Sequence, residues 1–185
     1  MNTTLYFVRH AASVYVEGNE RGRGLTEQGQ RDASIVRQLL STVIIDVFVS
    51  SPYQRAVDTL GPLLKGENIH IEENLRERNM GDFAPLSFLE AKQKLYHEFN
   101  FSFPNGESSA VAQERAVQAI QPIIHAHAGK IIALGTHGDI MTLMLNYWNV
   151  EYGFSFWQAS TMPDIYKLVF QGEQLTEGIR IWDFG

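Results

Sequence analysis

The chain has 185 residues, 44% of them hydrophobic and 19% charged, with a formal net charge of −6. That is enough for one sizeable core and short for two; it is too apolar for disorder, lacks the basic stripe of a nucleic-acid binder, and has no apolar run of the roughly 20 residues that span a bilayer. The absence of cysteine removes disulfides, thiolate metal ligands and thiol nucleophiles, and Met1-Asn2-Thr3-Thr4 lacks the basic start of a secretory signal, so the expected location is the cytoplasm.

Residues 3–8 predict a strand buried on both faces, because Leu5 to Val8 run apolar without alternation. Residues 11–25 are glycine-rich and of mixed charge, a loop. Thr26 is a candidate N-cap for a helix to about Leu40, with Glu27 in the first turn and Ala33, Val36 and Leu40 at helical spacing. The run 43–50 predicts a second strand, and the next helix is expected to take Pro52 at its first position. A short strand is expected at 69–71 and a helix at 85–98, with Phe88, Leu89, Lys92, Leu95, Tyr96 and Phe99 on recurring turns. After a turn at Asn105-Gly106, a helix runs toward Gly129, with Pro122 expected to kink or shorten it. Residues 130–135 predict a third buried strand, followed by Thr136-His137-Gly138 and a helix through Leu145. Two segments near the end, 165–170 and 178–184, read as paired strands. This alternation predicts a largely parallel sheet with helices on both faces, whose ligands sit beyond the carboxyl ends of the strands.

The reactive side chains fall at those ends. The first strand delivers Arg9 and His10, the second leads to Ser50-Ser51 and Arg55, the 69–71 segment leads to Glu77, and the third buried strand delivers His137 and Gly138. Singly, each has a plain structural reading. Arg9 can pair with a surface carboxylate, His10 can be a hydrogen-bonded core residue, and Arg55 can pair with Asp58. Glu77 between Arg76 and Arg78 looks like a solvated charge run, and His137 like a loop residue bonded to backbone. Their shared placement shifts the balance. Guanidinium forks match phosphate oxygens and stay charged. A neutral imidazole can attack phosphorus, and neighbouring guanidinium charges favour that form. A second histidine and the amides of a helix N-terminus can hold developing charge. A carboxyl group can protonate the leaving oxygen and then activate water. With arginines supplying the electrostatics, this chemistry needs no metal.

The motifs also carry a resemblance. "RHAAS" resembles the Arg-His-Gly-Glu-Ser/Thr signature of the histidine phosphatase superfamily, the phosphoglycerate mutase-like family. "LTEQGQRDA", "SSPYQRAVDT", "LRERNMGDF", "NGESSAVAQER" and "GTHGD" resemble its further landmarks, in family order from residue 5 to about 140. The resemblance implies an α/β fold, a three-layer α/β/α sandwich with a mostly parallel central sheet, in one domain over 1–185 with a substrate-specificity insertion around 78–104. It implies His10 as nucleophile, Arg9, Arg55 and His137 as phosphoryl ligands, and Glu77 as proton donor and then base. Ser13 and Gly138 are expected to touch the phosphate, and Arg21 and Arg23 either flank the mouth of the site or are solvated loop charges. No cofactor and no metal is expected. The expected partner is a small phosphorylated metabolite, with neither nucleic acid nor membrane, in an oligomeric state the sequence leaves open.

The chain departs from the family at Ala11-Ala12, where Gly-Glu is usual; an alanine at position 11 would be strained if the backbone there needed positive φ. Val16, in place of a frequent asparagine, and the run 81–87 also differ, which bears on substrate choice. The expected activity is a metal-independent phosphatase acting through phosphohistidine. The alternatives are a phosphoglycerate mutase, disfavoured by the short span from Glu77 to Gly106 available for a lid, and a non-catalytic phosphate-binding module. His125 and His127, about 200° apart on a helix, are read as last-turn residues rather than metal ligands. The aromatic residues of 147–157 are read as core and edge packing.

Overall fold

The computed structural model describes residues 1–184. Its centre is a six-stranded sheet in the order β3-β2-β4-β1-β5-β6. These strands are β1 Asn2–Arg9, β2 Val47–Ser50, β3 Ile69–Ile71, β4 Ile131–Thr136, β5 Asp164–Gln171 and β6 Gln174–Arg180. The first four are parallel to one another, and the β5–β6 hairpin joins antiparallel along β1. The helices are α1 Glu27–Leu39, α2 Gln54–Leu60, α3 Phe88–His97, α4 Ser109–Ala126, α5 Gly138–Trp148 and α6 Phe154–Ala159. Among the described residues, no helix is long and apolar enough to cross a membrane.

The unbroken apolar run of β1 is explained by burial on both faces. Leu5 and Phe7 pack with Ile120 and Ile124 of α4 and Met141 and Met144 of α5, whereas Tyr6 and Val8 pack with Val36 of α1 and Leu60 of α2. Each fully buried side chain of this size contributes about 1.5–3 kcal/mol of transfer free energy.

Several boundaries differ from the sequence expectation. The 43–50 run becomes strand only from Val47, because the Asp46 carboxylate and amide both engage Ile131 and close the ladder there. Helix α2 begins at Gln54 with Tyr53 as its N-cap, so Pro52 lies outside it. Helix α3 begins at Phe88, where Ser87 and Glu90 form a reciprocal capping box. Pro122 does not stop α4: Pro122 and Gln118, whose carbonyl the ring deprives of a donor, are both solvent-exposed, so water can satisfy it. The last strand covers 174–180 rather than 178–184, and Trp182 turns back into the core. The short helix α6 was not expected; its Phe156 packs against the core, as do Trp148 and Tyr152, while Tyr147 stays half exposed. His125 and His127 lie at the end of α4, His127 as its C-cap.

Candidate active site

The ends of β1, β2 and β4 meet because their ladders run on into the loops. The His10 amide donates to the Thr136 carbonyl at 3.0 Å, and the Ser51 amide to the Gly135 carbonyl at 3.0 Å. Two residues distant in sequence are thereby fixed on consecutive carbonyls of β4, next to His137. Position 11 needs no positive φ, since Asn105 is the only non-glycine residue with one among the described residues. The strain considered for Ala11 is therefore absent. Its amide donates to Thr59 Oγ1, and its methyl is buried against Leu25 and Ala33.

His10 is 6% exposed. Its Nδ1 lies 2.8 Å from the Ala11 carbonyl, which can only accept, so Nδ1 carries the proton. Nε2 is then the lone-pair nitrogen, and it accepts from Arg55 Nε at 3.2 Å. Burial first, and then the charges of Arg55, Arg9 and Arg23, lower the pKa of His10 to about 3, so the ring is neutral at physiological pH. His137 is fully buried, and its ring centroid lies 5.2 Å from that of His10. Burial, then His10, Arg55 and Arg9, lower its pKa well below the usual histidine value. His137 Nε2 lies 2.6 Å from Ser51 Oγ, a hydroxyl that also accepts from the Tyr53 amide. With the Ser51 hydrogen donated to Nε2, the His137 proton sits on Nδ1, which is buried without a hydrogen-bond partner.

Arg55 was a candidate for pairing with Asp58; instead Asp58 accepts from Gln54, and Arg55 turns inward to His10 and Glu20. Arg9 anchors through Nη1 on the Ser160 carbonyl and hydroxyl, at 3.0 and 2.5 Å, while its Nε is buried without a hydrogen-bond partner. Gly138 makes room for it: a Cβ there would lie 2.9 Å from Arg9 Cζ. Glu77 caps α5. Its Oε2 accepts from the Asp139 amide at 3.1 Å, and Oε1 from the Ile140 amide at 3.0 Å and the Arg78 amide at 2.9 Å. Its charge is felt by Arg9, Arg55 and Tyr53.

The structure thus brings Arg9, His10, Arg55, His137, Gly138 and Glu77 to one end of the sheet. Ser13 joins through Arg23, whose Nη1 donates to Ser13 Oγ at 2.6 Å. Arg21 is turned away into a bidentate pair with Glu73. Among the described residues, no cluster of three or more potential metal-ligating side chains forms.

Support for Glu77 lies beneath it and leaves little trace in the sequence. Asp139 is fully buried, paired with Arg78 and Lys92, and accepts from the Tyr96 hydroxyl at 3.0 Å. Burial raises its pKa, but Lys92 and Arg78 outweigh burial and hold it below the usual aspartate value. Arg115 donates to the carbonyls of Asn74, Arg76 and Glu77 and to the Glu107 carboxylate, fixing the 74–77 segment. The Arg76-Glu77-Arg78 run concealed this, because consecutive charges look solvated. The spacing of Lys92 with Leu95 on the inner turns of α3 was the available signal.

A mixed, mostly parallel sheet with two histidines and two arginines at its carboxyl end defines an α/β protein of the phosphoglycerate mutase-like class. The family model for the histidine phosphatase superfamily (branch 1) matches residues 5–176, and the chain belongs to that superfamily. It is similar to phosphoserine phosphatase 1 of Hydrogenobacter thermophilus, 26% identical over 157 residues, covering 76% of this chain and 73% of the relative. It is also similar to the 2,3-bisphosphoglycerate-dependent phosphoglycerate mutase of Pseudoalteromonas atlantica, 25% identical over 186 residues, covering 76% and 82%. The fold matches a mycobacterial glucosyl-3-phosphoglycerate phosphatase with a TM-score of 0.74 at 18% identity, covering 98% of each chain. It also matches a phosphoserine phosphatase of Entamoeba histolytica with a TM-score of 0.76 at 19% identity, covering 95% and 96%.

Proposed function

We propose that this protein hydrolyses small phosphate monoesters, without a metal, through a phosphohistidine on His10. The observation that carries the reading is the His10 ring: neutral, with its proton committed to Ala11 and its Nε2 lone pair among guanidinium groups. In the first step Nε2 bonds to phosphorus, the ester P–O bond breaks, and Glu77 gives the leaving oxygen a proton. In the second, water attacks phosphorus, Glu77 takes the water's proton, and the P–N bond breaks to release inorganic phosphate. Arg9, Arg55 and the His137 Nδ1–H hold the equatorial oxygens, assisted by the Gly138 amide and by Ser13. The three amides that Glu77 accepts hold its carboxyl at the start of α5, beside the phosphoryl site. Residues 78–104, which include α3, are proposed to shape the choice of leaving group.

The test is turnover of p-nitrophenyl phosphate in EDTA. The wild type should release inorganic phosphate and His10→Ala should lose at least a thousandfold, about the scale of a lost nucleophile. Glu77→Gln should lower the rate about a hundredfold or more, the scale of a lost general acid–base group; a rate near that of the wild type overturns its role. Tight phosphate binding without turnover would favour a binding module. With 3-phosphoglycerate as the substrate instead, isomerisation without release of free phosphate would favour a mutase.

A further inference from the structure

The loop between β1 and α1 places a carboxylate among the guanidinium groups beside His10. Glu20 Oε2 lies 3.2 Å from Arg55 Nη2 and 3.0 Å from Arg23 Nη2. The Glu20 carbonyl separately accepts from Arg55 Nη1 at 2.6 Å. Arg55 is buried with its Nε 3.2 Å from His10 Nε2, and Arg23, 16% exposed, shares the Glu20 carboxylate with it and reaches Ser13 Oγ. Glu20 itself is about half exposed, at 53%.

We infer that the Glu20 carboxylate is a built-in competitor for the phosphoryl site, a tethered anion that an incoming phosphate dianion displaces and that returns as product leaves. This rests on the phosphatase reading for its biological meaning. The backbone around it is tied down. The Ser13–Leu25 bridge closes the base of the loop. The Gln54 amide donates to the Arg21 carbonyl, and Arg21 forms its two-point pair with Glu73. The Glu20 carbonyl bond to Arg55 does not depend on its side chain. The carboxylate can therefore leave by rotation of its own side chain toward solvent, with the loop in place. A single carboxylate charge shared between two arginines is outbid by a phosphate carrying close to two charges and three acceptor oxygens. A sulfate monoester, with one charge, has no such advantage. Glu20 thus serves two ends: it favours dianionic groups, and it weakens retention of the product.

The experiment is calorimetric titration of inorganic phosphate in EDTA buffer into the wild type, Glu20→Gln and Glu20→Asp, with thermal melts to confirm folding. Glu20→Gln should bind phosphate about three- to tenfold tighter, the scale of one or two partly exposed ion pairs removed from competition. Glu20→Asp, with the charge kept but the reach shortened, should show a smaller gain. Unchanged or weaker binding by Glu20→Gln overturns the inference, and weaker binding would mean that Glu20 only orders the loop. Calorimetry needs no turnover. Tighter binding by a variant of an inactive protein removes the hydrolysis reading and keeps this one, and an active enzyme whose phosphate affinity does not move does the reverse.

Discussion

Replacement of Asp139 by asparagine tests whether the buried charge cluster supports the site. Asp139 and Arg78 side chains are fully buried and Lys92 is 6% exposed, so the carboxylate neutralises two cations that have almost no access to water. Asparagine keeps the shape and can still accept from Tyr96, but it removes the one carboxylate that pairs with Arg78 and Lys92 among the described residues. Breaking one partner out of a buried pair costs about 3–5 kcal/mol. At roughly 2–4 °C per kcal/mol for a chain of this length, Tm should fall by about 6–20 °C. Urea unfolding should show a lower midpoint with an unchanged slope. Adding Lys92→Met removes one stranded cation and should recover part of the loss. A single-variant loss below about 1 kcal/mol, or no recovery in the double variant, refutes the reasoning.

Ser51→Ala leaves both nitrogens of the buried His137 ring without partners, so it should cost about 1–3 kcal/mol and lower turnover, with rescue by Ser51→Thr; turnover equal to the wild type would remove Ser51 as a positioning residue. Gly29→Ala would put a methyl 2.1 Å from the Ala12 carbonyl, so urea titration should show a loss of about 3 kcal/mol or more, and a near-neutral result would contradict the close approach of α1 to this loop. The folded-state pKa of His10, about 3, lies below the unfolded value of about 6.5. Between those values the unfolded chain binds the proton and the native state does not, so stability is fully present above pH 6.5 and is lost as pH falls toward 3. Relative to His10→Gln, the wild type should lose on the order of 2 kcal/mol between pH 7 and 4.5 in denaturant titrations; equal losses in both would contradict a neutral buried ring.

Much of the architecture was legible because burial on both faces leaves an unmistakable run. Leu5 to Val8 and Ile131 to Leu134 are such runs, and both are inner strands. Boundaries were harder where one tertiary contact decides them, as Asp46 does for β2, or where a local cap competes with composition, as Ser87 and Glu90 do for α3. In the site, Arg9, His10 and His137 could be placed because they follow strand ends, and Arg55 because it lies in the first turn of the next helix. Of the ionic support beneath Glu77 only Lys92 left a periodic trace, at an inner turn of α3; Arg78 and Asp139 are 61 residues apart, and a pairing over that separation leaves none. Glu20 was hidden for another reason, since a glutamate in a glycine-rich loop carries no sign that its partners lie within the fold.

The two carbonyls that close β4 have a consequence for engineering. Since Gly135 and Thr136 each pin one of the incoming loops, the spacing of His10 and the loop leading to Arg55 is inherited from a hydrogen-bond ladder. Re-tailoring that leaves this ladder alone, for instance across the α3 segment, leaves the spacing of those side chains in place. Conversely, a frameshift of a single residue in how β4 docks would dismantle the whole constellation at once, making this strand a poor place for insertion.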